Sequence, residues 1–170
     1  MEPGPGGYRR RVTNTDDQAK LLELMRDMYV AMLTTTRDDG TFQAVPMARQ
    51  EVDPSAELWF ITARDTEHVR NLQARPQVGL TFSSRDSWVA VHGTATLVDD
   101  HAKLEELWNT FAEAWLPGGP DDDNAALIRV DLAGGEYWDS PGGRVASLIS
   151  FVKTKVTGDT YDTDTGTADL

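Results

Sequence analysis

The chain contains no cysteine, which removes disulfides, thiolate nucleophiles and Cys-ligated zinc at once. Positive charge is also scarce: 16 Lys and Arg stand against 28 Asp and Glu, a formal net charge of −12. Nucleic-acid backbones are held by clustered cations, so no nucleic-acid partner is expected. No apolar run approaches the ~18–20 residues of a bilayer-crossing helix, so no membrane span is expected. Met1-Glu-Pro-Gly-Pro-Gly-Gly7 is polar and rich in breakers, with no apolar stretch behind it. A signal peptide is therefore not expected, and the cytoplasm is the default location.

Familiar catalytic signatures are missing as well. There is no Walker-type loop, no Gly-x-Gly-x-x-Gly opening a helix and no Gly-x-Ser-x-Gly elbow. Nucleotide-triphosphate, dinucleotide and serine-hydrolase chemistries are thus left without a motif. His68, His92 and His101 do not pair at helical spacing and have no cysteine beside them, so no metal site is expected. Asp121-Asp-Asp-Asn124 lacks the glycine and the closing glutamate of a calcium loop.

What is present reads as one domain. Thr15 followed by Gln18 fits a capping box, and Leu21, Leu24, Met25 and Met28 then form one helical face. Tyr29–Thr36, the turn Asp38-Asp-Gly40 and Thr41–Val52 read as a hairpin, with Leu58–Thr62 as a third strand. A short helix follows Thr66 and stops at Arg75-Pro76. Val78–Phe82 and Ser87–Val98 are strands, the second with a bulge at Gly93. Asp99-Asp100 opens one helix carrying Leu104, Leu107, Trp108, Phe111 and Trp115, ended by Pro117. Ala126–Leu132 and Gly135–Asp139 read as two strands, and Val145, Leu148, Ile149 and Val152 as a last helix. The expected layout is a flexible N-terminus over 1–14, one domain over 15–157 and a loose polar tail over 158–170. The order lacks β-α-β alternation, which favours a mainly antiparallel sheet or barrel with helices at its ends.

Three features stand out as candidate sites. A helix beginning near Thr66 offers free N–H groups, which the hydroxyls of Thr62 and Thr66 with Arg64 and His68 could complete into an anion site. Thr66 serving only as an N-cap is the plainer reading. Trp115 and Trp138 sit in segments dense with glycine and proline, where aromatics stack on planar ligands, fill an oligomer interface or simply close a barrel mouth. Pro46 inside a strand cannot donate to a ladder, so it marks an edge or a backbone facing a ligand.

Taken in order, several runs resemble the FMN-binding split-barrel family, the pyridoxamine 5′-phosphate oxidase-like proteins, and within it the general-stress-protein branch. They are Met32-Leu-Thr-Thr35 with Asp39-Gly40, Val45-Pro-Met47, Leu58–Thr62 with Thr66 and His68, Arg75-Pro-Gln-Val78, Val91-His-Gly93, Ala114–Asp121, Glu136-Tyr-Trp-Asp139 and Val156-Thr-Gly158 with Tyr161. The resemblance implies a six-stranded antiparallel split β-barrel with peripheral helices, forming a homodimer with FMN at the interface. It implies that Pro46, Met47 and Ala48 run beside the flavin, and that Ile61 and Thr62 lie near the ribityl chain and phosphate. It further implies that Thr66 meets the phosphate, that Trp138 flanks the flavin of the partner, and that Arg144 stands where the true oxidases bind pyridoxal substrate.

Two departures matter. His68 stands where the family has a phosphate-binding Lys, and Glu67 where the oxidases have an Arg, so FMN binding looser than the family's is expected unless Arg64 or Arg49 compensates. Val145-Ala-Ser-Leu148 lacks the histidine and arginine that follow in the oxidases, which argues against vitamin B6 oxidation. The resemblance therefore implies a flavin-dependent oxidoreductase with an unknown small-molecule substrate and no catalytic side chain that can be named. The alternatives are a non-catalytic flavin-buffering stress protein, or a relative using deazaflavin or haem.

Overall fold

The computed structural model describes residues 15–52, 57–139 and 164–169. In chain order the elements are α1 (Thr15–Asp27), β1 (Val30–Thr36), β2 (Phe42–Val52), β3 (Glu57–Ala63), α2 (Glu67–Ala74), β4 (Gln77–Ser83) and β5 (Ser87–Val98). They continue with α3 (His101–Leu107), α4 (Thr110–Trp115), β6 (Ala125–Asp139) and β7 (Asp164–Asp169). The sheet runs β3-β2-β1-β4-β5-β6-β7, and β3 also pairs with β6. That last pairing closes β1 to β6 into the expected six-stranded antiparallel barrel, with β7 added outside the ring.

Alternation along the strands fills the barrel. Val78, Leu80 and Phe82 of β4, and Val89, Val91 and Ala95 of β5, point inward beside Leu33, Leu58, Phe60, Ile128 and Val130. Helix α1 adds Leu21, Leu24 and Met25, and α2 adds Val69 and Leu72, so the helical faces read from spacing are the faces that are buried. The β1–β2 turn closes as expected at Asp38-Asp-Gly40, where Gly40 takes φ 82° and Gly40 N–H donates to Arg37 O at 3.0 Å. The β5–β6 register shifts between His92 and Gly93, but the extra residue is Ala133 of β6, between Leu132 opposite Gly93 and Gly134 opposite His92, so the bulge expected on β5 lies on its partner strand. A Cβ at Gly93 would collide with the Asp131 carbonyl, so the position facing the bulge admits only glycine.

Three elements differ from expectation. The helix expected from Asp100 to Trp115 is two helices, because Asn109 breaks it by accepting from Phe111 N–H and Ala112 N–H, both at 3.0 Å, as a new N-cap. The two last strands of the barrel are one, β6, in which Gly134 and Gly135 remain in the ladder because Ala133 alone is left out of register as the bulged residue. Within the segment read as a loose polar tail, Asp164–Asp169 pairs with Gly134–Asp139 as β7. Polar sequence does not prevent pairing when a neighbouring strand edge offers its backbone. The helix expected from Val145 lies outside the described residues. No helix among the described residues is long and apolar enough to cross a membrane.

Candidate functional site

Strands β2 and β3 begin as neighbours and then part. Val52 pairs with Leu58 and Arg49 with Phe60. Continued at the Arg49 register, Ala48 would oppose Ile61, Met47 Thr62 and Pro46 Ala63, but the ladder stops at Arg49. Pro46, without an N–H, cannot support such a ladder, although it remains registered with Met32 on its β1 side. Between the parted strands lies a cleft of about 450 Å³, a size suited to a small ligand.

Seven expected site residues line this cleft together: Pro46, Met47 and Ala48 from β2, Ile61 and Thr62 from β3, and Thr66 and His68 at the start of α2. Val30, Gln50, Ala63 and, from α4 and its C-cap, Phe111, Ala112, Trp115 and Leu116 complete it. One wall is therefore apolar and aromatic, and apart from Gln50, which is bonded to Asn109 and Ala48, the polar side chains gather at the end where β3 turns into α2.

At that end Thr62 is the last inward-facing residue of β3, and it is buried, as is His68. Thr66 Oγ1 donates its only proton to Ala63 O at 2.9 Å, so toward His68 Nε2, 3.2 Å away, it accepts. His68 then carries its proton on Nε2, shared with Thr62 Oγ1 at 2.8 Å. The Thr62 hydroxyl proton stays available to a ligand. Burial pushes His68 below its ordinary 6.5, against a smaller opposing pull from Glu67, so it is neutral at pH 7. Thr66 holds the extended backbone of an N-cap, yet its side chain caps no helix N–H. The plain capping role is thus not how this hydroxyl is used.

Charge lies elsewhere. Glu67 accepts from Arg37 Nε at 2.7 Å and from Gln43 Nε2 at 2.8 Å, away from the cleft lining. Asn71 extends the same network by donating to Gln43 Oε1 at 3.0 Å and Thr35 Oγ1 at 3.1 Å, tying α2 to the hairpin. Neither expected compensating arginine reaches the cleft. Arg49 donates to the carbonyls of Met25, Arg26 and Met28 at the end of α1. Arg64 pairs with Asp99 at 2.6 Å. No Lys or Arg lines the cleft among the described residues.

The aromatic wall was only half legible in the sequence. Trp115 stands out in the sequence by its setting, but its place at the cleft follows from the break at Asn109, which starts α4 as a separate helix and leaves Trp115 74% exposed at the rim of the lining. Tyr29 meets Phe111 edge-on at 5.8 Å, and Phe111 meets Trp115 at 6.3 Å. Asn109 Nδ2 donates to Gln50 Oε1, and Gln50 Nε2 to Ala48 O at 3.2 Å, so α4 is moored to the flank of β2. Trp138 does not line this cleft. It stands exposed on β6, registered with Trp88 of β5. Arg144 lies outside the described residues. His101 lies 3.5 Å from Glu105 and 3.3 Å from Asp121, a mixed group that paired-histidine spacing does not reveal, and all three are exposed.

The family model described as "Pyridoxamine 5'-phosphate oxidase like" matches residues 16–162. Protein bli-3 of Neurospora crassa is 24% identical over 165 residues, covering 85% of this chain and 78% of that protein. A solved structure described as a general stress protein 26 of Jannaschia sp. CCS1 has a TM-score of 0.74 at 26% identity, over 92% of this chain and 100% of that one. The general stress FMN/FAD binding protein of Xanthomonas citri has a TM-score of 0.64 at 30% identity, over 74% of this chain and 90% of its own.

Proposed function

Because the chain belongs to the pyridoxamine 5′-phosphate oxidase-like family, we propose that the cleft between β2 and β3 binds FMN, in a cytoplasmic homodimer that acts as a flavin-dependent oxidoreductase. The observation that carries this reading is the parting of β2 from β3 beyond Arg49, along Pro46–Ala48, which opens a cleft with an apolar wall and a polar end. The name of the Xanthomonas citri relative, an FMN/FAD binding protein, supports the same ligand class.

The residues fit the group in shape and polarity. Pro46, Met47 and Ala48 would lie along the ring system, with Phe111 and Trp115 excluding water from the opposite wall. Thr62 and Thr66 would hold the phosphate end beside the uncapped N-terminus of α2. When bound, the flavin supplies electron transfer; the chain binds it, orients it and screens it. Trp138 and Trp88, exposed and side by side, would reach the flavin of the partner. His92 and His101 are not among the lining residues, which leaves haem only His68, whose Nε2 is already held by two threonines.

A second reading, a flavin carrier without catalysis, is favoured by one observation: His68 is the only ionisable side chain in the lining among the described residues. Purified protein mixed with FMN should show shifted visible bands and quenched flavin fluorescence. A colourless protein that leaves added FMN unquenched would refute flavin binding, while a deazaflavin or Soret band would replace the ligand. Photoreduced protein mixed anaerobically with candidate oxidants separates the two readings. Reoxidation no faster than that of free FMN would favour the carrier.

A further inference from the structure

A phosphomonoester is held in most sites by a resident cation, since charge-assisted hydrogen bonds are about twice as strong as neutral ones. The polar end of this cleft has none among the described residues. Its contacts are Thr62, Thr66 and a neutral His68, and β2 and α4 present no ionisable side chain to it. The charged group acting on His68 is Glu67 on its own helix, and Glu67 is paired with Arg37 from the β1–β2 turn at 2.7 Å. On the side of β3, Arg64 is paired with Asp99 and the Asp65 backbone is held by Asn124.

His68 is therefore the one group here that can become a cation. Its Nε2 proton is committed to the threonines, and Nδ1 is the atom that would take a second proton. Neutral, it offers the phosphate of FMN only what it offers riboflavin. We infer that His68 sets this cleft's choice between phosphorylated and unphosphorylated flavin: FMN binds with uptake of a proton by His68, and riboflavin binds without it. This inference rests on the flavin reading above. The linkage follows from electrostatics: a phosphate carrying close to two negative charges, brought beside an imidazole in a partly desolvated cleft, favours the imidazolium. The affinity for FMN then rises as the pH falls toward and through the range where bound His68 protonates, while that for riboflavin stays level.

The test uses the full chain with FMN and riboflavin as probes, between about pH 5.5 and 8.5. NMR of the imidazole signals, with His68 assigned by its loss in His68→Gln, should show its titration moving upward with FMN and not with riboflavin. Calorimetry in buffers of different ionisation enthalpy should show proton uptake with FMN beyond that of His68→Gln, which subtracts the titration of the phosphate itself near about pH 6. His68→Lys should tighten FMN about tenfold at the alkaline end, erase the His68-dependent part of its pH dependence and leave riboflavin unchanged. If both flavins bind and His68 titrates alike with each, or if His68→Lys leaves the FMN-to-riboflavin ratio unchanged, the inference is overturned and flavin binding stands. If neither flavin binds at any pH, the flavin reading falls and this inference with it. The NMR arm needs only the unmodified chain, so a poorly folded variant does not remove the test.

Discussion

Thr62 gives a buried imidazole its shortest hydrogen bond, 2.8 Å to His68 Nε2. Thr62→Val keeps the shape and removes the oxygen, leaving His68 with the 3.2 Å contact to Thr66 alone. It should cost about 1–2 kcal/mol, measured by urea unfolding, since a buried polar group loses most of its compensation. The pH dependence of stability carries a sign set by burial. His68 titrates below 6.5 when folded and near that value when unfolded, so protonation favours the unfolded chain. Its contribution is fully present above pH 6.5 and is lost as the pH falls from there through its folded value. Without added flavin, the melting temperature of the native chain should drop more steeply below that point than that of His68→Gln. Thr62, Thr66 and His68 were legible because they flank a strand-to-helix junction only a few residues long. Glu67 shows the limit: sequence places it beside His68, but its direction is fixed by Arg37 and Gln43, which come from another part of the chain.

The mouth of the cleft belongs to two elements. The β2–β3 ladder stops at Arg49 and Pro46 offers no N–H with which it could resume, so Pro46→Val supplies that N–H and lets the strands draw together. FMN affinity should fall about two- to tenfold, the equivalent of one ladder hydrogen bond, while thermal stability holds or rises. A fluorescence titration paired with a melting curve measures both. On the facing side, Asn109→Ala removes the cap of α4 and its tie to Gln50, and should cost about 1 kcal/mol by denaturant unfolding. Strand periodicity made β4 and β5 legible, and Gly93 marked the level of a register shift whose extra residue, Ala133, lies on the neighbouring β6. The break at Asn109 was hidden because Leu104, Leu107, Trp108, Phe111 and Trp115 keep an unbroken helical spacing. A single side chain caps the second half as a separate helix. Strand β7 was hidden for the opposite reason, as its threonines, glycine and aspartates carry no apolar alternation and their pairing is supplied by β6.

At the scale of the whole molecule, the exposed Trp88 and Trp138, at 46% and 37%, sit side by side on the outer face of β5 and β6. Exposed tryptophans grouped in this way suit a subunit contact. Trp138→Ala should shift sedimentation toward monomer and weaken FMN binding together. If it weakens binding and leaves the mass of a dimer, the tryptophan touches ligand without holding subunits. With a net charge of −12 on each copy, association should strengthen between low and moderate salt, where screening shortens the reach of the repulsion.

Strand β6 shares one edge between two partners in series, β3 against its first half and β7 against its second. On the ribosome this sets an order of events. The hairpin β1–β2 and strand β3 emerge early, but β3 waits for residues 125–131 before its outer edge is covered, with β4, β5 and both later helices made in between. During that interval a nascent chain carries the open edge of β3 and a half-built barrel lining of Phe60, Leu58 and Leu33. Such an arrangement folds late and invites pairing with other chains until β6 arrives. Translation speed and chaperone supply around the α3–α4 segment should therefore govern soluble yield more than any single residue of the finished barrel.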